Sequence, residues 1–250
     1  MSTRFEDKIT VVTGAGSGIG RSIARQVYAE GGHVAALDID GAAARAVAGE
    51  LGADRASAHE LDVRDGQQID AVVDDVLDRL GGVDVLFNNA GVTDRFTPAA
   101  DTTDELWESV LGVNLVGPFR LARRVLPSML ERGGGAIVNT GSVASVIAGA
   151  GGTAYTVSKH GILGLTRALA MEYGSKGIRV NAVLPGAIRT AMTSNEEAVV
   201  EGADDAIAAT PAGRWAEPEE VARIAVMLAS DDASFVHGSA YVVDGGWSLP

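Results

Sequence analysis

The stretch from Ile9 to Val27 constrains the fold of this chain more than any other. Ile9-Thr10-Val11-Val12 is a short β-rich run, and Thr13-Gly14-Ala15-Gly16-Ser17-Gly18-Ile19-Gly20 follows it directly. Ile19, Ile23 and Val27 then recur at helical spacing. Strand, glycine-rich turn and helix is the order that a dinucleotide site requires. The glycines permit a tight turn and a close approach of backbone to a pyrophosphate. The helix N-terminus offers free N–H groups and the positive end of a dipole. A merely flexible loop is a poor account of these glycines, because strand and helix flank them directly.

The same alternation runs to the end of the chain. His33-Val34-Ala35-Ala36-Leu37 reads as a second strand ending at Asp38, where an acid would accept hydrogen bonds from ribose hydroxyls. A third strand falls around Arg55 to Leu61. Val83 to Phe87, Ala136 to Asn139, Ile178 to Val183 and Ala240 to Val243 read as later strands. Ile69, Val72, Val73, Val76, Leu77 and Leu80 mark one helix stripe between them; Leu121, Val125 and Met129 mark another. A series of this kind predicts an α/β fold, a doubly wound parallel sheet of about seven strands with helices on both faces. The 250 residues fit one core and one domain, without repeat or linker.

Tyr155 and Lys159 lie four residues apart, and Ser142 precedes the tyrosine by thirteen. Four residues of helix turn through about 400° and rise about 6 Å, so the pair shares a face. A phenol is a poor base near neutral pH, and a nearby ammonium favours its phenolate. Ser142, on another segment, could hydrogen-bond the oxygen that gains or loses a proton. Chance Tyr-x-x-x-Lys pairs are common on amphipathic helices, and a packed tyrosine beside a solvated lysine is the other reading.

Several ordered matches resolve that choice. The glycine spacing of Thr13 to Gly20 resembles the short-chain dehydrogenase/reductase family, in its classical branch, and the likeness covers nearly the whole chain. Asp62-Val63 resembles the pair that contacts the adenine. Asn88-Asn89-Ala90-Gly91 is similar to the family's Asn-Asn-Ala-Gly signature. Asn114 sits where the family keeps a helix-kinking asparagine, and Pro185, Gly186, Ile188 and Thr190 resemble the segment that cups the nicotinamide. The resemblance implies a Rossmann-type sheet, with a cofactor half over about 1–140 and catalytic and substrate elements over about 141–250. It implies catalysis by Asn114, Ser142, Tyr155 and Lys159. It places the dinucleotide on Gly14, Ser17, Gly18, Ile19, Gly20, Asp38, Asp62, Val63, Asn89, Ala90, Gly91, Tyr155, Lys159, Pro185, Gly186, Ile188 and Thr190. Tyr155 would take the alcohol proton, Ser142 would orient the substrate oxygen, and Lys159 would lower the tyrosine pKa and bind the nicotinamide ribose. Asn114 would hold a water on the proton path. A homotetramer is the usual family assembly. The helices around Phe119 to Leu130 and Thr153 to Tyr173 fit it, as does the tail from Asp244 to Pro250, although Trp247 could equally cover its own core.

Charge selects the expected cofactor. Asp38 would repel the 2′-phosphate of NADP and accept from a free ribose, which points to NAD(H). Where NADP users of the family place a basic residue, this chain has Ser17 and Ile39, and Arg21 lies inside the helix. The absence of cysteine excludes disulfides and thiol chemistry, and the four histidines form no metal-ligand spacing. A formal charge of −13 argues against a nucleic-acid partner. The polar start and the lack of a long apolar run lead us to expect a cytoplasmic protein without a membrane segment.

Three segments are expected to line the substrate pocket: Thr93 to Phe96, Val143 to Gly152, and a mobile lid over 186–217. The lid's Glu196, Glu197, Glu201, Asp204 and Asp205 should face water and disfavour anionic substrates. The expected substrate is a neutral secondary alcohol or ketone. The alternatives are a 3-oxoacyl-carrier-protein reductase using NADPH, which Pro211 to Glu220 resembles and for which Arg123, Arg124 and Arg167 are docking candidates, and a sugar dehydrogenase. A catalytically idle dinucleotide sensor is the remaining alternative.

Overall fold

A computed structural model describes residues 3–194 and 203–249. Seven strands form one wholly parallel sheet: β1 (Ile9–Thr13), β2 (His33–Asp38), β3 (Ala56–Glu60), β4 (Val85–Asn88), β5 (Gly135–Thr140), β6 (Ile178–Pro185) and β7 (Ala240–Val243). Their spatial order is β3-β2-β1-β4-β5-β6-β7. The order reverses between β1 and β4, which pair as Thr10 with Val85 and Val12 with Phe87. Parallel strands need crossovers. These are α1 (Gly18–Ala29), α2 (Gly41–Leu51), α3 (Gly66–Leu80), α4 (Asp104–Leu111) running on to α5 (Gly117–Glu131), α6 (Thr153–Tyr173), and the short α7 (Ala191–Ser194) and α8 (Ala203–Ala208) followed by α9 (Pro218–Ala229).

Alternate residues of each inner strand serve opposite faces. Val12, Val34, Ala36, Phe87 and Val138 pack with Ile23 and Val27 of α1 and Val226 of α9. Val11, Ala35, Leu37, Leu86 and Ile137 pack with Ile69, Val73 and Val76 of α3 and Leu121, Val125 and Met129 of α5. Burial on both faces explains why these strands are apolar runs without polar alternation. Two buried strand asparagines, Asn88 and Asn139, depart from that pattern for a positional reason. Asn88 Nδ2 donates to Asn139 Oδ1 at 2.9 Å, and Asn139 Nδ2 donates to Thr166 Oγ1 at 2.9 Å. A directional chain inside the core ties β4 and β5 to α6 at one register.

Asp40 and Asp65 cap α2 and α3 from within their own loops, accepting from Ala42 and Gln67 N–H groups at 2.9 and 2.8 Å. The sequence pattern places all seven strands, β3 included. On the surface, Asp74 pairs with Arg124, and Asp232 pairs with Arg4 at 2.9 Å. Among the described residues no acidic or histidine cluster could hold a metal, and no helix is long and apolar enough to cross a membrane.

Candidate active site

A cleft of about 330 Å³ opens at the C-terminal ends of β1 and β4, where the strand order reverses. Its floor is the glycine turn. Gly14 has a left-handed φ of +63°, and a methyl group on Gly20 would lie 2.1 Å from Gly14 O, so the turn folds onto the first turn of α1 only without side chains. Ser17 occupies the N-cap of α1 with no side-chain capping bond, and no acid stands in the first turn. Those N–H groups therefore face the cleft without a protein partner from the cap. Thr13 Oγ1 accepts from Asn89 N and Ala90 N at 2.9 and 3.0 Å, which clamps the turn after β4 to the turn after β1.

Asp38 ends β2 at the rim. Its Oδ2 accepts from Gly16 N at 2.8 Å and its Oδ1 from Asp40 N at 3.0 Å. A carboxylate has further acceptor sites, so a fixed Asp38 can still bind a diol. Asp62 and Val63 line the cleft, and Asp62 carries an ion pair of its own. Its carboxylate takes Nε and Nη2 of Arg64 at 3.0 and 2.6 Å, and this ion pair holds its pKa below the usual carboxylate value. This end of the cleft thus presents a pair of charges.

At the other end, Ser142 follows β5 and starts a turn of 3₁₀ helix over Val143–Ser145, with its Oγ accepting from Ala144 N at 3.1 Å. The Ser142 and Tyr155 side chains both line the cleft, with the serine hydroxyl near enough to favour the phenolate. Lys159 is 4% exposed; its Nζ lies 5.6 Å from the Tyr155 ring centroid and donates to Thr140 O at 2.9 Å. Burial lowers the lysine pKa to about 8. Burial also pushes the Tyr155 phenol up; the Ser142 hydroxyl opposes this and the Asp94 charge adds to it. Burial is the largest influence on the phenol, while the Lys159 ammonium is itself buried and turned toward the Thr140 carbonyl.

Asn114 lies in a π-helical turn, Gly112–Val116, between α4 and α5, so the anticipated irregularity in the helix is present. Its Oδ1 accepts from Val92 N and its Nδ2 donates to Val92 O, both at 2.9 Å, and to Ser158 Oγ at 3.1 Å. A methyl group on Gly91 would sit 3.4 Å from Asn114 Oδ1 and 3.6 Å from Lys159 Nζ, so only glycine leaves the space between them open.

The cleft gathers Gly14, Ser17, Gly18, Ile19, Asp38, Asp62, Val63, Asn89, Ala90 and Gly91 on one side, with Ser142, Tyr155 and Lys159, and Pro185, Gly186, Ile188 and Thr190 on the other. Gly20 and Asn114 stand behind its wall. Sequence reasoning missed Thr140 and the apolar Leu61, Val113 and Met192, which also line the cleft, and the clamp that Thr13 makes behind it. Thr13 alone carried a signal, as the residue joining strand to turn.

Of the expected substrate segments, Thr93 to Phe96 and Val143 to Gly152 stand apart from the cleft lining; Val92 and Ser142 line it beside them, and among the described residues 186–217 contributes Gly186, Ile188 and Thr190 to Thr193. Asp94 turns inward and is 1% exposed. The 186–217 segment is closed at its base by an Ile188–Ala216 bridge and carries α7 and α8. Asp204 accepts from Trp215 Nε1 at 2.8 Å, while Glu196, Glu197 and Glu201 lie outside the described residues. In the tail, Ala212 N donates to Gly245 O at 2.9 Å and Trp247 is half-buried, so this turn packs on its own subunit.

A parallel sheet with a glycine turn at its reversal point, and a hydroxyl pair beside a buried lysine, defines a dinucleotide-binding oxidoreductase. Residues 14–248 match the family model described as Enoyl-(Acyl carrier protein) reductase, and the chain belongs to the short-chain dehydrogenase/reductase family, enzymes acting on CH–OH groups. It is 39% identical over 250 residues to cyclohexanol dehydrogenase of Acinetobacter sp. (strain SE19), covering 99% of this chain and 98% of that protein. The structure of 3-ketoacyl-(acyl-carrier-protein) reductase from Brucella melitensis complexed with NADH superimposes with a TM-score of 0.91 at 33% identity, covering 98% and 99% of the two chains. A Beutenbergia cavernae structure with NADP bound at low occupancy gives a TM-score of 0.92 at 42% identity over the whole of both chains.

Proposed function

We propose that this protein interconverts a neutral secondary alcohol and its ketone with NAD(H). The observation that carries the reading is the Ser142–Tyr155 hydroxyl pair, with buried Lys159 beside the ring, opening on a dinucleotide-shaped cleft. The residues present fit the cofactor: uncapped N–H groups of α1 suit a pyrophosphate, and Asp38 suits a ribose diol. A nicotinamide held there would supply the hydride chemistry that links alcohol and ketone.

Tyr155 as phenolate removes the hydroxyl proton in oxidation and, as phenol, supplies it in reduction. Ser142 donates to the substrate oxygen and stabilises charge developing there. Lys159 holds the proton path open on the Thr140 side, and Asn114 keeps the Gly91–Val92 backbone away from it. Because burial raises the phenol, oxidation should accelerate as pH rises and reduction should slow. Asp38 and the apolar lining, with relatives named for cyclohexanol oxidation, support NAD(H) and a neutral substrate. The carrier-protein alternative needs a basic docking face, and Arg124 is engaged by Asp70 and Asp74. Exposed Phe119 on α5, Val157 and Met171 on α6, and Tyr241 and Val242 on edge strand β7 support a homotetramer.

The test is turnover at 340 nm against alcohols, ketones, sugars and 3-oxoacyl thioesters with either cofactor. Tyr155→Phe should lower the rate by about 10²–10⁴-fold with cofactor binding retained. Retained turnover rejects the proton role. Asp38→Ala should narrow the preference for NAD over NADP, and an unchanged ratio rejects that assignment.

A further inference from the structure

Helix α6 carries both Tyr155 and Lys159, yet nothing in its own sequence closes its N-terminus. Its N-cap is Gly152, and no acid stands in its first turn. The open N–H groups are met from the loop after β4. Asp94 Oδ1 accepts from Gly152 N at 2.8 Å, and Asp94 Oδ2 accepts from Tyr155 N at 2.8 Å. Thr97 O accepts from Thr153 N at 3.3 Å. Asp94 Oδ1 also takes Phe96 N at 3.2 Å, so this buried carboxylate accepts three N–H groups.

The fit admits no side chain at Gly152. A methyl group there would lie 2.4 Å from Thr97 O and 2.6 Å from Asp94 Oδ2. The loop reaches this position through two consecutive left-handed residues, Arg95 at φ +54° and Phe96 at φ +59°. Neither is glycine, and such backbone persists only where its surroundings over-determine it.

We propose that Asp94 is a positioning residue for Tyr155, closing the start of α6 from a loop 61 residues upstream with its carboxylate on the Tyr155 main-chain N–H. This rests on the reading of Tyr155 as the group that exchanges the substrate proton. Three elements bear on Tyr155: Lys159 of α6 near its ring, Ser142 from the end of β5, and Asp94 from the loop after β4 on its main-chain N–H. Burial and Asp94 favour the neutral phenol, and Ser142 favours the phenolate. Asp94 therefore opposes premature ionisation while it fixes the first turn that aims the ring.

The experiment is a pH titration of the full chain labelled at tyrosine ¹³Cζ, in which Tyr155→Phe assigns one of the four tyrosine signals. In Asp94→Asn the Tyr155 signal should ionise at lower pH than in the wild type. The acid limb of the pH–rate profile for alcohol oxidation should move the same way. The kcat should fall by about 10- to 100-fold through misaimed geometry, with the cofactor KM little changed. Asp94→Glu keeps the charge on a longer arm, so kcat should fall while the titration stays near the wild type. If Asp94→Asn does not fold, Asp94→Ser supplies a neutral capping residue and is read identically. An unmoved or raised Tyr155 titration in the neutral variants overturns the proposal, as does a Tyr155 titration lowered as far in Asp94→Glu as in Asp94→Asn. The titration reports on Tyr155 whether or not it is catalytic. Turnover retained in Tyr155→Phe would instead overturn the proton-exchange reading on its own.

Discussion

The N-termini of α1 and α6 start from the same deficit and end in opposite states. Neither helix has a side-chain cap of its own or an acid in its first turn. At α6 a distant loop brings Asp94 and Thr97 to the open N–H groups, and the helix start is closed by protein. At α1 no such cap bond forms from Ser17, and the first turn borders the cleft. Helices α2 and α3, which carry no candidate chemistry, cap themselves with Asp40 and Asp65. A helix start left open at a cleft is a seat for an anion; one closed from afar is a means of aiming the residues on it.

The largest effect should come from breaking the closure at α6. Gly152→Ala would drive a methyl group into Thr97 O and Asp94. We expect kcat to fall about 100-fold by misplacement of Tyr155, measured at saturating cofactor. A rate near wild type would mean that the closed N-terminus does not aim the ring. Next, α1 can be given the cap it lacks. Ser17 already has extended N-cap geometry, at φ −151°. Ser17→Asp should raise the melting temperature of the free protein and raise the cofactor KM at least about tenfold, since the new charge occupies the anion's place.

A third change removes the charge that α6 buries. Lys159 has its folded pKa lowered from 10.5 to about 8, so its charged form is disfavoured by folding. The unfolded chain binds the extra proton between those values. Stability should thus rise with pH from about 8 to 10.5 and lack that contribution below 8. Lys159→Met should abolish this rise and stabilise the fold at pH 7 by about 1–3 kcal/mol in urea titrations, at the expense of turnover. The smallest effect is expected at a self-capped helix. Asp65→Ala should cost about 1 kcal/mol of stability, read by thermal unfolding, and leave kcat unchanged.

Much of the cofactor side was legible because its determinants are neighbours in the chain. The glycines of 14–20, the strand before them and the stripe of Ile19, Ile23 and Val27 all lie within 19 residues. Asp38 was legible for the same reason, since a strand places its last residue at the rim. The Asp62–Arg64 pair was not read, although it is only two residues apart, because the pattern that flagged Asp62 concerned a ligand and ignored the side chain that competes for it. The inward turn of Asp94 was hidden more deeply. Its partners Gly152 and Tyr155 are 58 and 61 residues away, and no periodicity reports such a contact. The direction of the Tyr155 shift was hidden likewise: four-residue spacing reveals that Lys159 shares a face with the ring, but not how far both are taken out of water.

Sequence alone therefore determined the parallel sheet, the turn at its reversal point and the set of residues to watch, because hydrophobic period and glycine placement act over one or two elements. Tertiary structure decided which of those residues meet, what closes the helix that carries them and which protonation state each favours. Those outcomes depend on burial and on hydrogen bonds between segments that come together only when the sheet has formed.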